Sequence, residues 1–343
     1  MSEYNPSAVG VKGSIFGYPY TLDEADLVLV PVPWDVTVSY GAGTAHSPAL
    51  IKDESSQLDF SSPYIKEVHT YPVAMSEPDA HMAKTSEANR SEAEGLIAAL
   101  EETGQLSAHE GQVQAEINDH CAGMIARVKG QTGTFLNKGK IVATIGGDHS
   151  TPLGLIQSLA DRHCDFGILQ IDAHMDLRNS YEGFTYSHAS IMYNVLKLPQ
   201  VTKLVQVGIR DYCAEEEQVV KDMRGRVIVH FDEDLHREKW AGNLWMDMAN
   251  KFVADLPEKV YVSFDMDGLD PSLCPNTGTP VAGGLCFAEA MYLLEEVVRT
   301  GRQLIGFDVS EAGNHPWDAN VAARVILKLC ALTGVSRGHL RFA

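Results

Sequence analysis

The stretch Ile171-Asp172-Ala173-His174-Met175-Asp176 is the densest polar motif of the chain, and it directly follows an apolar run at residues 166–170. The apolar run predicts a buried strand that ends in a loop. Asp172, His174 and Asp176 recur at every second position, so in an extended chain their side chains point to one side. Carboxylates and an imidazole that converge at the end of a buried strand lose solvation and repel one another unless a cation lies among them. The motif therefore predicts a metal site.

Apolar runs and helical patterns alternate along most of the chain. A spacing of three and four between the apolar residues of segment 113–128 is typical of an amphipathic helix, and Ser47 followed by Pro48 indicates another helix start. Short apolar strands that alternate with helices predict an α/β fold with a parallel sheet covered on both faces. The predicted strands are 26–32, 141–145, 166–170, 204–209, 227–229, 260–264 and 304–307.

Composition narrows the class of protein. The chain has 343 residues, and 27 basic against 46 acidic residues give a net charge of −19, which argues against a nucleic-acid or anionic-membrane partner. The six cysteines show no CxxC spacing, so reduced thiols are expected. Without a signal-like N-terminus or an apolar stretch of about 20 residues, we expect a cytoplasmic protein. A polar arm at residues 1–24 and a single domain at residues 25–343 are predicted.

Polar residues follow the other predicted strands as well. His149 follows strand 141–145, Asp265 and Asp267 follow strand 260–264, and Glu311 follows the last strand. Taken singly, the aspartates fit an acidic turn and His149 fits a hydrogen-bonded polar residue. Because ligands of parallel α/β sheets bind at the carboxyl ends of the strands, we expect all of these side chains to meet. Two histidines and four aspartates suit two octahedral divalent ions and are too many for one tetrahedral zinc.

Three of these motifs together resemble the ureohydrolase family, which includes arginase, agmatinase, guanidinobutyrase, formimidoylglutamase and guanidine hydrolase. They are Gly146-Gly147-Asp148-His149, the stretch Asp172–Asp176, and Ser263–Pro271, and the similarity extends from about Leu27 to Leu329. The resemblance implies a three-layer α/β/α fold with a central, mostly parallel sheet. It also implies two divalent ions, Mn²⁺ or Ni²⁺, and trimers or hexamers formed alone or with a homologous subunit.

The implied reaction is hydrolysis of a linear carbon–nitrogen bond of a guanidino group by a metal-bridging hydroxide, releasing urea or a urea derivative and ammonia or an amine. The resemblance assigns His149 and Asp176 to one metal, His174 and Asp267 to the other, and Asp172 and Asp265 to both. Asp176 would also hydrogen-bond the hydroxide.

Two further residues match the family's catalytic groups. His188 resembles its proton-shuttling histidine, for which a pKa near neutrality is suitable, although a buried core histidine is the alternative. Glu311 resembles the carboxylate that grips the guanidinium.

Substrate choice depends on the pocket walls. Tyr181, Phe184 and Trp317 predict aromatic walls that favour guanidine, a compact alkyl-substituted guanidine or a biguanide, as in the guanidine hydrolase branch. Arg178 would serve either a substrate carboxylate or a structural ion pair. The alternatives are an agmatinase, an arginase, a guanidino-acid hydrolase or formimidoylglutamase, and a catalytically silent ureohydrolase-like partner subunit. The presence of every expected ligand argues against the silent subunit.

Overall fold

The computed structural model describes residues 13–343, and within them apolar runs form strands and amphipathic segments form helices. The strands are β1 Leu27–Val32, β2 Val73–Met75, β3 Ile141–Gly146, β4 Phe166–Ile171, β5 Val201–Ile209, β6 Val227–Phe231, β7 Lys259–Asp265 and β8 Gln303–Ser310. The helices are α1 Ser47–Ser55, α2 Ala80–Thr103, α3 Ala108–Asn137, α4 Leu153–Ala160, α5 Ile191–Val195, α6 Ala214–Asp222, α7 Asp232–Trp240, α8 Trp245–Ala254, α9 Phe287–Arg299 and α10 Pro316–Ser336.

All eight strands lie in one parallel sheet in the order β2-β1-β3-β8-β7-β4-β5-β6. The four strands that precede the polar motifs, β3, β8, β7 and β4, are neighbours at its centre. Their register places Asp265 of β7 opposite Ser310 of β8. Four motifs that are far apart in sequence therefore start from one short edge of the sheet.

Two hydrophobic cores show the layers directly. Alternate residues of β1 enter different cores: Leu27 and Leu29 pack on one face of the sheet, and Val28 and Val30 on the other. Helices α1, α7, α8, α9 and α10 contribute to the first core, and helices α2 to α6 to the second. The three-layer α/β/α prediction is confirmed.

Helix α10 is long and apolar enough to cross a membrane, with a mean hydropathy of 1.4 over its most apolar window. Because 67% of that window is buried inside the domain, its apolarity fits a central helix of a globular core.

The predicted N-terminal arm is partly wrong. Residues 1–12 lie outside the described part of the chain, but Ile15, Phe16 and Tyr18 are buried in the protein's own core. The Phe16 N–H donates to the Ser55 hydroxyl at 2.8 Å, which ties this segment to α1. From residue 15 onward, the predicted arm therefore packs on its own domain.

Local differences from the predicted elements have simple causes. The three-residue edge strand β2 was missed because it is too short for a clear apolar run. Ser47 begins α1 but does not cap it, since its hydroxyl donates to the Gly146 carbonyl at 3.0 Å. This bond joins α1 to the end of β3, close to the polar motifs.

Helices α3 and α4 pack too closely for a side chain at Gly154. A Cβ built there would lie 2.4 Å from the Ile125 carbonyl oxygen, whereas one built on Gly123 of α3 meets nothing within 4 Å. We predict that Gly154→Ala lowers the free energy of unfolding by about 1–3 kcal/mol, because the helices must move apart. Gly123→Ala should leave it unchanged or raise it by up to about 1 kcal/mol through helix propensity. Urea denaturation of both variants tests this, and equal stabilities would contradict the close packing.

Candidate metal centre

His149 is held by one ring nitrogen and presents the other to a group of carboxylates. Its Nε2 lies 2.8 Å from Ser263 Oγ on β7. Its Nδ1 lies 3.0, 2.9 and 3.2 Å from single oxygens of Asp172, Asp176 and Asp265. If Nε2–H donates to Ser263, Nδ1 presents a lone pair to three carboxylate oxygens, and this nitrogen has no hydrogen-bond partner among residues 13–343. Four electron-rich atoms in a buried space need a cation between them.

These distances fit a divalent ion. Neighbouring ligands of an octahedral ion with bonds of about 2.1 Å lie about 3 Å apart. The 2.9–3.2 Å separations around His149 Nδ1 agree with that value. A mixed set of one imidazole and three carboxylates suits Mn²⁺ or Ni²⁺. The residues present therefore fit the first predicted ion.

A second group adjoins the first through a shared residue. His174 Nδ1 lies 3.0 Å from Asp267 Oδ2 and 3.6 Å from Asp172 Oδ1, while the other oxygen of Asp172 faces His149. The ligand atoms of each group, His149–Asp172–Asp265 and Asp172–His174–Asp267, lie within 4.8 Å of one another. Asp172 is thus placed to bridge two ions. Asp265 falls in the first group, and its predicted bridging role stays a prediction.

The backbone after each strand aims these carboxylates. Asp172 Oδ1 accepts the His174 N–H at 2.7 Å, and Asp265 Oδ1 accepts the Asp267 N–H at 2.9 Å. A carboxylate that bonds the amide two residues later turns the chain tightly, which brings alternate side chains together. Asp176 and Glu311 adopt positive φ angles of 56° and 61°, a conformation that costs non-glycine residues free energy and clusters at functional sites.

Burial makes the carboxylate charges costly. Burial, and then the charge of Asp172, raise the pKa of Asp176 to about 7. Burial, followed by Asp267 and Asp172, raises the pKa of Asp265 well above its usual range. Although burial alone lowers it, the surrounding carboxylates raise the pKa of His149 well above its usual value. Without metal cations, protons are therefore expected to take their place.

A cavity of about 300 Å³ opens beside the second group. His188 lines it near Tyr181, whose ring centroid is 6.1 Å away. Burial, and then the nearby imidazoles of His174 and His149, lower the pKa of His188 to about 3, below the near-neutral value that we expected. A neutral His188 must take up a proton before it can donate one. The lining residues are Ser39, Tyr40, His174, Asp176, Arg178, Tyr181, His188, Ala189, Asp211, Tyr212, Glu216, Thr279, Pro280 and Val281.

Glu311 lies buried next to the first group, with 2% of its surface exposed, and it is not among the residues that line the cavity. Its Oε1 accepts the His149 N–H at 3.0 Å, and its Oε2 has no hydrogen-bond partner within the described residues. Burial, and then the charges of Asp148 and Asp267, raise the pKa of Glu311 well above its usual range. This carboxylate lacks a cationic donor, and a guanidinium would supply one.

Two of the three predicted aromatic walls are wrong. Phe184 is fully buried in the core, since the chain reverses at Glu182 and Gly183, both with positive φ. Trp317 is 48% exposed at the start of α10, where its indole N–H donates to the Ser272 carbonyl, and it is absent from the cavity lining. Of the three predicted rings, Tyr181 alone lines the cavity.

Arg178 lines the cavity but is already engaged. Its Nε lies 3.9 Å from Glu216 Oε2, and its guanidinium lies 4.7 Å from the centre of the Tyr181 ring. Glu216 also accepts the Leu177 and Cys213 N–H groups, each at 3.0 Å. These contacts agree with the structural ion-pair interpretation of Arg178.

Several residues that line the cavity were not predicted from the sequence. Asp211, just after β5, places Oδ2 3.8 Å from His174 Nε2, which is beyond hydrogen-bond distance. Its position at a strand end is the signal that could have found it. Tyr40 and Tyr212, which are 82% and 38% exposed, stand on loops without any periodic pattern.

Comparison with known proteins agrees with this geometry. The family model described as the arginase family matches residues 25–332. The chain belongs to the arginase family. It is 31% identical over 325 residues to the N(1)-aminopropylagmatine ureohydrolase of Thermus thermophilus, with 94% of each chain covered. It is 26% identical to the agmatinase of Bacillus subtilis, which covers 90% of this chain and 91% of that protein.

The fold of this arginase-family chain also matches solved structures. The agmatine ureohydrolase of Thermoplasma volcanium superposes with a TM-score of 0.69 at 23% identity, covering 95% of this chain and 96% of that one. Membership makes the chain a ureohydrolase, a hydrolase that acts on guanidino compounds. The family depends on a binuclear metal centre, and the clusters around Asp172 fit that requirement.

The metal content of variants tests whether Asp172 is shared between two ions. We predict two divalent ions per chain, about one in His174→Ala, and close to none in Asp172→Ala, because Asp172 belongs to both groups. The exposed Asp53→Ala serves as the control. Elemental analysis after gel filtration measures the ratio, and an Asp172→Ala chain that keeps both ions would contradict the bridge. Because the pKa values of His149 and Asp265 are raised in the metal-free protein, which favours their protonated forms, metal loading should release protons and weaken as the pH falls.

Proposed function

We propose that this chain hydrolyses the guanidino group of a compact substrate that carries no carboxylate. The observation that carries the proposal is the pair of His/Asp groups joined by Asp172, beside the buried carboxylate of Glu311, whose Oε2 has no hydrogen-bond partner within the described residues. Two bound ions, Mn²⁺ or Ni²⁺, would lower the pKa of a water held between them and so supply the nucleophile. Glu311 would bind the guanidinium and fix its carbon next to that water.

The protein's own groups account for the proton transfers in this proposal. Asp176 lines the cavity and also lies 2.9 Å from His149 Nδ1. Its carboxylate can therefore accept a hydrogen bond from the nucleophilic water. His188 lies on the same cavity wall, and in this proposal its imidazole relays a proton to the leaving nitrogen, a role that requires a higher pKa in the metal-loaded enzyme than the value of about 3 here. Its Nδ1 lies 3.2 Å from Ser187 Oγ, a contact that fixes the ring.

Charge supports the exclusion of carboxylate-bearing substrates. Asp211 adds negative charge to the cavity wall, whereas Arg178 and Glu216 form an ion pair whose charges offset each other. A field of this sign favours cations and opposes a second carboxylate. Relatives named N(1)-aminopropylagmatine ureohydrolase and agmatinase fit the same rule, since their named substrates end in amines.

The size of the cavity supports a compact substrate, but more weakly than the sequence suggested. Phe184 and Trp317 lie outside the cavity wall. A compact substrate is therefore supported only by the lining residues Tyr40, Tyr181 and Tyr212 and by the cavity volume of about 300 Å³. That volume is at the lower end of the usual range for ligand sites, roughly 300–1,000 Å³. An amine-tailed substrate is the competing choice. We also propose that the protein is cytoplasmic and assembles as a trimer or hexamer.

Two variants separate binding from proton transfer. Glu311→Gln should remove most binding and turnover while both metals stay bound, because it removes the charge facing the guanidinium. His188→Asn should lower kcat by roughly a hundredfold or more with little change in substrate affinity. Steady-state kinetics with metal analysis measures both, and Glu116→Gln and His81→Asn at exposed sites are the controls. A His188→Asn enzyme that loses its metals would show that the assigned role is wrong.

A graded substrate series tests charge and size separately. We expect urea release with the highest kcat/KM from guanidine, methylguanidine or a biguanide, and values lower by about tenfold for agmatine and N(1)-aminopropylagmatine. Arginine and 4-guanidinobutyrate should be the poorest because each brings a carboxylate. Preference for agmatine would contradict the size argument alone, and preference for arginine would contradict the charge argument.

A further inference from the structure

Two loops meet directly above Glu311. Residues 39–45 follow β1, residues 274–281 follow β7, and the Gly41 N–H donates to the Gly278 carbonyl at 3.0 Å. A Cβ built on Gly278 would lie 2.8 Å from Glu311 Oε2, and one built on Gly41 would lie 2.8 Å from the Gly278 oxygen. Backbone without side chains is therefore needed at both positions. The paired loops form the immediate cover of the buried carboxylate.

The second loop is anchored at both ends. Asp318, in the first turn of α10, is fully buried, and its carboxylate accepts the Asn276 N–H at 2.9 Å and the Asn276 amide group at 3.1 Å. At the other end, Arg210 donates to the Val281 carbonyl at 3.0 and 3.2 Å. The same guanidinium donates to the Asp267 carbonyl at 2.6 Å, so the loop is fixed relative to a predicted metal ligand.

The first loop is held by a second buried carboxylate. Asp35 is 6% exposed, and its Oδ2 accepts the N–H groups of Gly43 at 2.8 Å and Ala45 at 3.2 Å. Backbone donors of this kind offset the desolvation of a buried charge. Neither Asp35 nor Asp318 belongs to the two groups that could hold metal. Each is buried where it fixes one of the two loops that meet over Glu311.

We propose that Asp35 and Asp318 are positioning residues for substrate binding, which hold the paired Gly41 and Gly278 backbones as a cover over Glu311. A cover that excludes water lowers the local dielectric and strengthens the attraction between this carboxylate and a guanidinium. The inference rests on the proposed role of Glu311 and deepens it, since it names the residues that shape its surroundings.

Hydrogen exchange tests whether the loops act as one unit. In Asp318→Asn, the amides of both segment 274–281 and segment 39–45 should exchange faster than in the wild type, although the substitution lies next to only one of them. The metal content should stay at the wild-type value, KM should rise about tenfold, and kcat should change by less than about threefold. Asp53→Asn, at an exposed position, is the control. Faster exchange confined to segment 274–281 would overturn the proposal.

A second variant needs no turnover. Gly278→Ala places a methyl group against Glu311, so the dissociation constant of guanidinium chloride, measured by calorimetry on the metal-loaded protein, should rise about tenfold or more. Gly123→Ala, in open space, is the matched control. An unchanged dissociation constant in Gly278→Ala would overturn the proposal that these loops cover Glu311. If Asp318→Asn does not fold, Gly41→Ala tests the same pairing by exchange. The proposed function is tested separately, by urea release from the wild-type enzyme. Absence of urea release would overturn the proposed function and not the loop cover.

Discussion

The site depends on the cost of burying negative charge. The carboxylates of Asp172, Asp176 and Asp265 crowd around one imidazole nitrogen at the centre of the sheet edge, with Glu311 close by. Isolated, each buried charge would be strongly destabilising, and burial already raises the pKa of several of them. Two divalent cations and a guanidinium would compensate these charges. Metal binding and the proposed guanidinium binding therefore follow from a single electrostatic constraint.

The parallel sheet is what brings the charges together. Strands β3, β8, β7 and β4 are adjacent and point the same way, so the residues that follow them share one edge although the sequence separates them widely. Helices pack on both faces of the sheet, and the positive φ of Asp176 and Glu311 is maintained by this surrounding structure. The placement of these two carboxylates requires a strained backbone conformation, and the packing of the surrounding core offsets the free energy of that strain.

The sequence alone predicted what depends on strand periodicity and strand ends. The parallel sheet, and the approach of His149, Asp172 and Asp265, followed from such patterns. It could not predict which way a loop side chain points, so Phe184 was placed in the cavity wall although it packs in the core. Nor could it predict that Gly41 and Gly278 meet, because that contact depends on two long loops crossing over one edge.

The central claim is that two ions share Asp172 within one site. Anomalous diffraction from crystals of the metal-loaded protein tests it most directly, because it locates each ion independently of activity. We predict two peaks about 3.5–4 Å apart, on either side of the Asp172 carboxylate, one near His149 and the other near His174. A single peak, or two peaks that do not share Asp172, would contradict the account.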